Sequence, residues 1–194
     1  MLSYTIDISS VAKITDDQFE RLCATNPEIK FELTATGELV IMSPTGGETG
    51  RNNSKLNARF VVWNERTNLG EVFDSSTCFK LPNGGKRSPD VAWVERSRWD
   101  ALSPEEKRRF PPLCPDFVLE LLSPSDDLRD IQTKMGEYLA SGLRLGWLLN
   151  PEARQVEIYR PDQAMEVLVA PQSLSGEAVL PDFVLNLDWF WSQD

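Results

Sequence analysis

Apolar residues recur along this chain with two distinct periods, and each period predicts an element. Leu56, Phe60 and Trp63 are spaced four and three apart, a stripe along one face of a helix over 48–68. Thr15-Asp16-Asp17-Gln18 has the capping-box pattern that opens a shorter helix, with Phe19 and Leu22 inward and a stop before Pro27. Leu128, Ile131, Met135 and Leu139 mark a further helix over 127–141, bordered by Tyr138 and closed by Gly142. Residues 30–42 read as two strands folded at Thr36-Gly37. The segments 72–81 and 89–95 read as strands joined through the hairpin-type loop Pro82-Asn83-Gly84-Gly85. A polar helical stretch over 97–115, with Ser103-Pro104-Glu105-Glu106 as a cap, leads to a strand at 116–122. Further strands follow at 143–149, 155–159 and 166–169. The order predicts an α/β (α+β) fold, a mixed central sheet flanked by helices, with an extra N-terminal hairpin and C-terminal strands. Residues 1–194 are expected to form one domain.

Three charged residues break this pattern. Asp90 abuts the apolar run Val91-Ala92-Trp93-Val94, and Glu120 interrupts Phe117-Val118-Leu119 and Leu121-Leu122. A carboxylate on a buried strand costs several kcal/mol of desolvation unless it is paired or holds a cation. Lys134 lies three residues after Ile131 and four before Tyr138, at the edge of the apolar helix face, and can lean towards the end of strand 116–122. Two acids and a lysine are the parts needed to hold Mg²⁺ and hydrolyse a phosphodiester. A purely structural account also exists: Asp90 caps a strand, Glu120 forms an ion pair and Lys134 runs its stem along the core edge.

Composition narrows the chemistry. The chain has no histidine, which removes imidazole bases, His-zinc sites and serine–histidine triads. Three widely spaced cysteines, Cys23, Cys78 and Cys114, suit small core residues in a reducing cytoplasm rather than a disulfide framework. No apolar run is long enough to span a membrane, and the N-terminus lacks the pattern of a signal peptide. The net charge of −10 opposes general nucleic-acid binding, but it is unevenly spread. Between Lys80 and Arg109 eight bases face five acids. Arg51, Lys55 and Arg59 recur every four residues on the 48–68 helix; with Lys86 and Arg87 they form a candidate phosphate-contacting patch. Their other reading is a solvated face. Most of the six tryptophans fall at core periodicity, and Asp188-Trp189-Phe190-Trp191 is expected to pack against a partner subunit.

Phe31-Glu32-Leu33, Gly37-Glu38-Leu39-Val40-Ile41-Met42-Ser43-Pro44, Ser88-Pro89-Asp90-Val91-Ala92 and Glu120-Leu121-Leu122-Ser123-Pro124-Ser125-Asp126, followed by Lys134, Tyr138 and Gly142, together resemble the Uma2 family. The similarity runs over roughly residues 12–190. It implies a restriction-endonuclease-like core of the PD-(D/E)XK type and a metal-dependent endonuclease acting on DNA, with Mg²⁺ as cofactor and Mn²⁺ as a substitute. It further implies a homodimer. By position, Asp90 and Glu120 are the two acids of the family, and Lys134 supplies the charge of the motif lysine, whose usual place is held by Leu122. Glu48 matches a further metal-holding acid, although the residue after it is Thr49 where many relatives have histidine. A nuclease-fold module that binds without cleaving is the alternative; a metal-free glycosidase built on a carboxylate pair is a third, which gives Lys134 no role.

Overall fold

The computed structural model describes residues 3–192. Strand β1 (Ser3–Ile6) is followed by helix α1 (Asp16–Thr25), whose Thr15–Gln18 capping box forms as predicted. Strands β2 (Lys30–Leu33) and β3 (Leu39–Met42) make the expected hairpin, turning at Gly37 with φ 95°. Helix α2 (Gly47–Thr67) follows and buries Leu56, Phe60 and Trp63.

The predicted strand 72–81 divides in two. Strand β4 (Gly70–Asp74) ends where the Asp74 carboxylate accepts the Ser76 N–H and hydroxyl, a side-chain turn that halts the ladder. Strand β5 (Phe79–Lys80) then pairs with β6 (Lys86–Arg87) across the Pro82–Gly85 loop, while β7 (Val91–Glu95) returns to pair with β4. Short helices α3 (Arg96–Asp100) and α4 (Pro104–Arg108) lead to β8 (Phe117–Leu121) and α5 (Leu128–Ala140). Strands β9 (Leu145–Asn150), β10 (Gln155–Tyr159), β11 (Glu166–Val169), β12 (Ser173–Ser175) and β13 (Val184–Asn186) and helix α6 (Asp188–Trp191) complete the chain.

The central sheet runs β11-β10-β9-β8-β7-β4 and is mixed, because β8 and β9 are parallel and their neighbours antiparallel. A second sheet, β1-β3-β2-β6-β5, carries the N-terminal hairpin, and β12-β13 form a small third one. Side-chain alternation on β8 decides what each face of the central sheet meets. Phe117, Leu119 and Leu121 face α2 with Phe60 and Trp147, closed over by Phe183 and Phe190. Val118 and Glu120 point the other way, towards Met135 and Tyr138 of α5.

The aromatic tail packs in part within the chain. Phe190 is buried in the chain's own core, the Trp191 indole N–H bonds Pro171 O, and Arg59 lies 4.1 Å over the Trp189 ring. These side chains therefore serve this chain's own packing. All three cysteines are free, with Cys78 and Cys114 buried. Among the described residues, no helix is long and apolar enough to cross a membrane.

Candidate active site

The same alternation that buries β8 delivers Glu120 to α5, and on β7 it places Asp90 on the side of Ala92 and Val94. Both acids line one cavity of about 270 Å³, together with Glu32 of β2, Thr49 and Asn53 of α2, and Lys134 of α5. Lys134 is 4% exposed, so it lies deeper than the edge position its spacing suggests. Its ammonium is 2.8 Å from Glu120 Oε1 and 3.0 Å from Glu32 Oε1, and it donates to Ser88 O at 3.3 Å. Those three acceptors engage all three of its protons.

The carboxylates are held individually. The Tyr138 hydroxyl donates to Glu120 Oε1 at 3.0 Å. Asp90 receives the Leu121 N–H on one oxygen and the Asn53 amide on the other, each at 2.8 Å. Glu32 accepts the Ser88 N–H at 2.9 Å and an Arg87 guanidinium N–H at 3.0 Å. Arg87 also donates to Glu137 at 2.7 Å.

Charge is unbalanced across this network. Four carboxylates, from Glu32, Asp90, Glu120 and Glu137, meet two cations in contact, Lys134 and Arg87, and a more distant third, Lys30. The consequence is uneven. Burial pushes Glu32 up, but Lys134 and Arg87 override it and hold the group at about 2. Glu120 goes the other way: burial lifts it to about 7, and repulsion from Asp90 and Glu32 adds to the rise despite Lys134. Burial also raises Asp90, against the Leu121 N–H and Lys134. Lys134 itself is raised, because its two carboxylates outweigh its desolvation, so it stays a cation.

The cavity suits a hard cation. Asn53 Oδ1 and Thr45 Oγ1 line it and are buried without hydrogen-bond partners, so acceptor capacity remains beside the excess negative charge. Its donors are oxygens, as Mg²⁺ prefers. Among the described residues no three Asp, Glu or Cys side chains gather closely enough to form a metal cage. Two carboxylates, the number Asp90 and Glu120 offer, are what Mg²⁺ takes when water and phosphate complete its shell.

Four expected residues lie elsewhere or do other work. Glu48 is exposed, sits 3.6 Å from Arg51, and borders the grooves beyond this cavity. The α2 turn that carries Thr49 and Asn53 inward rotates Glu48 away, so it does not join the pair. Lys86 is buried against Asp16 at 2.8 Å, and Arg87 is buried between Glu32 and Glu137. Neither presents a free charge to a phosphate, which corrects their place in the basic patch. Arg59 bonds Lys55 O at 2.7 Å and turns over Trp189, whereas Arg51 and Lys55 remain exposed. Glu32 and Asn53 had no predicted role and are central. Glu32 carried a legible signal, a carboxylate between Phe31 and Leu33, of the kind that singled out Glu120.

A mixed sheet with two acids at one end of adjacent strands and a lysine on the covering helix defines a restriction-endonuclease-like protein. The Uma2 family model, described as "Putative restriction endonuclease", matches residues 16–188, and the chain belongs to that family. Its fold is similar to the crystal structure of "a putative nuclease belonging to DUF820 from Anabaena variabilis ATCC 29413". That match has a TM-score of 0.72 and 19% identity, and covers 85% of this chain and 91% of the other. No curated protein matches the sequence.

Proposed function

We propose that this chain, acting as one unit over residues 1–194, is a Mg²⁺-dependent endonuclease that hydrolyses phosphodiester bonds in DNA, with Mn²⁺ able to replace Mg²⁺. The observation that carries this reading is the convergence of Asp90 and Glu120 on one cavity whose carboxylates outnumber its cations. Asp90 and Glu120 would hold the ion. When bound, it supplies Lewis-acid neutralisation of the scissile phosphate and a more acidic water.

The chain's own groups do the positioning. Asn53 and the Leu121 N–H fix both oxygens of Asp90. Tyr138 and Lys134 fix Glu120. Because Lys134 stays protonated, it cannot serve as a base; its role is to offset negative charge as it builds on the phosphate. Arg51 and Lys55, exposed on α2, remain the candidate contacts to the DNA backbone.

One observation favours a second reading, a nuclease-fold module that binds nucleic acid without cleaving it. All three protons of Lys134 are engaged within the protein, so contact with a phosphate requires one partner to yield. Supercoiled plasmid and single-stranded circular DNA incubated with Mg²⁺, Mn²⁺ or EDTA separate the two readings. Metal-dependent nicking that disappears in Asp90→Ala and Lys134→Ala, each checked for retained fold, supports the nuclease. No cleavage of either DNA by the wild type supports the silent module, and cleavage persisting in Asp90→Ala refutes the residue assignment.

A further inference from the structure

A second groove, of about 520 Å³, begins where the metal-facing cavity ends. The two share Thr49 and Leu121, and Leu121 is the residue whose N–H binds Asp90. Leu122, Pro124, Pro151, Phe190 and Trp191 form its apolar side, and polar or charged groups line about as much of it. Its only buried polar side chain is Asn52, 6% exposed, whose Oδ1 is buried and accepts no hydrogen bond. A buried amide oxygen left unpaired costs on the order of 1–3 kcal/mol, so its place beside the site calls for a donor from outside. At the mouth stands Arg154, exposed and in left-handed backbone at φ 52°, on the turn between β9 and β10.

We infer that this groove takes one unstacked nucleobase of the nucleic acid, from a nucleotide next to the phosphate held at Asp90 and Glu120. This rests on the nuclease reading above and adds its substrate class, a strand whose bases are free to leave the stack. Every part has a function in that occupancy. Trp191 and the prolines offer faces to a planar base, a sequence-tolerant contact. With its amide turned so that Oδ1 meets the groove, Asn52 accepts from an exocyclic amino group, which adenine, cytosine and guanine carry and thymine lacks. Arg154 meets the phosphate on the far side of that nucleotide, on a lining that also carries the exposed acids Glu48 and Glu152. A metal-facing site alone gives no reason for a buried, unpaired amide outside its own cavity.

Single-stranded oligonucleotides with an abasic site moved one position at a time test this, with binding read by anisotropy in Ca²⁺ and cleavage in Mg²⁺. The wild type should lose ~10-fold in affinity at one position beside the cleaved phosphate, the size of one base–aromatic stack, and little elsewhere. Asn52→Leu should keep that stacking loss but remove the preference for adenine or cytosine over thymine at that position. Arg154→Asn, exposed and suited to left-handed backbone, should weaken binding at every position while leaving the profile in place. Cleavage with a flat wild-type profile overturns the inference and leaves the nuclease reading intact. If no DNA is cleaved, binding of the mononucleotides dAMP, dCMP and dTMP, followed by saturation-transfer NMR, decides instead. Asn52-dependent binding that disfavours dTMP upholds the groove, and equal or absent binding overturns it.

Discussion

Replacing Lys134 with methionine removes a charge while keeping most of the side chain's length, so the effect isolates electrostatics from cavity formation. In the wild type the ammonium lies between Glu32 and Glu120, at 3.0 and 2.8 Å, with all three residues at most 5% exposed. Removing one partner of a buried ion pair costs about 3–5 kcal/mol, because the remaining charges must stay buried and uncompensated or take up a proton. At pH 8 both carboxylates are ionised, and a loss of about 4 kcal/mol is expected. At pH 5 Glu120, with its pKa near 7, is already protonated, so the variant forfeits the Glu32 pair alone. There the loss should be about half as large. The assay is urea unfolding in EDTA at both pH values, followed by fluorescence of the buried Trp93 and Trp147. With a urea dependence of about 2 kcal/mol/M, the midpoint should fall by about 2 M at pH 8. A fall under about 0.5 M, or equal losses at the two pH values, would refute the account of Lys134 as the shared cation.

Glu120→Gln should act in the opposite direction. The folded pKa of Glu120 lies above its ordinary 4.5, at about 7, so its ionisation opposes folding. The cost is absent below pH 4.5, grows as pH rises through that window and is complete above about 7. In EDTA at pH 8 the variant should therefore be more stable than the wild type by roughly 3 kcal/mol, and equal to it at pH 4; urea titrations at both pH values check the sign. Gly70→Ala probes the packing of β4 on β7. A Cβ there would sit 2.2 Å from Val94 O and 2.5 Å from the Trp93 ring, contacts that backbone cannot relieve by a rotamer change. A loss of about 3 kcal/mol is expected, readable as a lower melting temperature, and a neutral effect would contradict the close approach of the two strands.

Local pattern exposed most of the elements because the stripes of α2 and α5 and the apolar runs of β7 and β8 are each complete within one segment. The division of 72–81 was also written locally, in Asp74-Ser75-Ser76, but the apolar residues on either side read as one continuous strand. The site was legible only in part. Asp90 and Glu120 announce themselves as acids against apolar runs, whereas the depth of Lys134 depends on Glu32, 102 residues away. Spacing along α5 cannot register that partner, so the lysine reads as an edge residue. Lys86 and Arg87 misled for the same reason: they cluster with other bases in sequence, while Asp16, Glu32 and Glu137 neutralise them from distant segments. Bases adjacent along a chain form a patch only if no acid is brought to them by the fold.

The link from Glu32 on the N-terminal sheet to Lys134 on α5 has a kinetic consequence. Hairpins and helices close loops of a few residues, but this contact closes 102, and it cannot form until both sheets have docked. Asp90 and Glu120 are brought together by the pairing of β7 with β8, and Lys134 reaches Glu120 from the helix that follows; what arrives last is the third carboxylate, Glu32. A divalent ion held by Asp90 and Glu120, as proposed, would stabilise the finished protein by mass action, so adding the ion should slow unfolding.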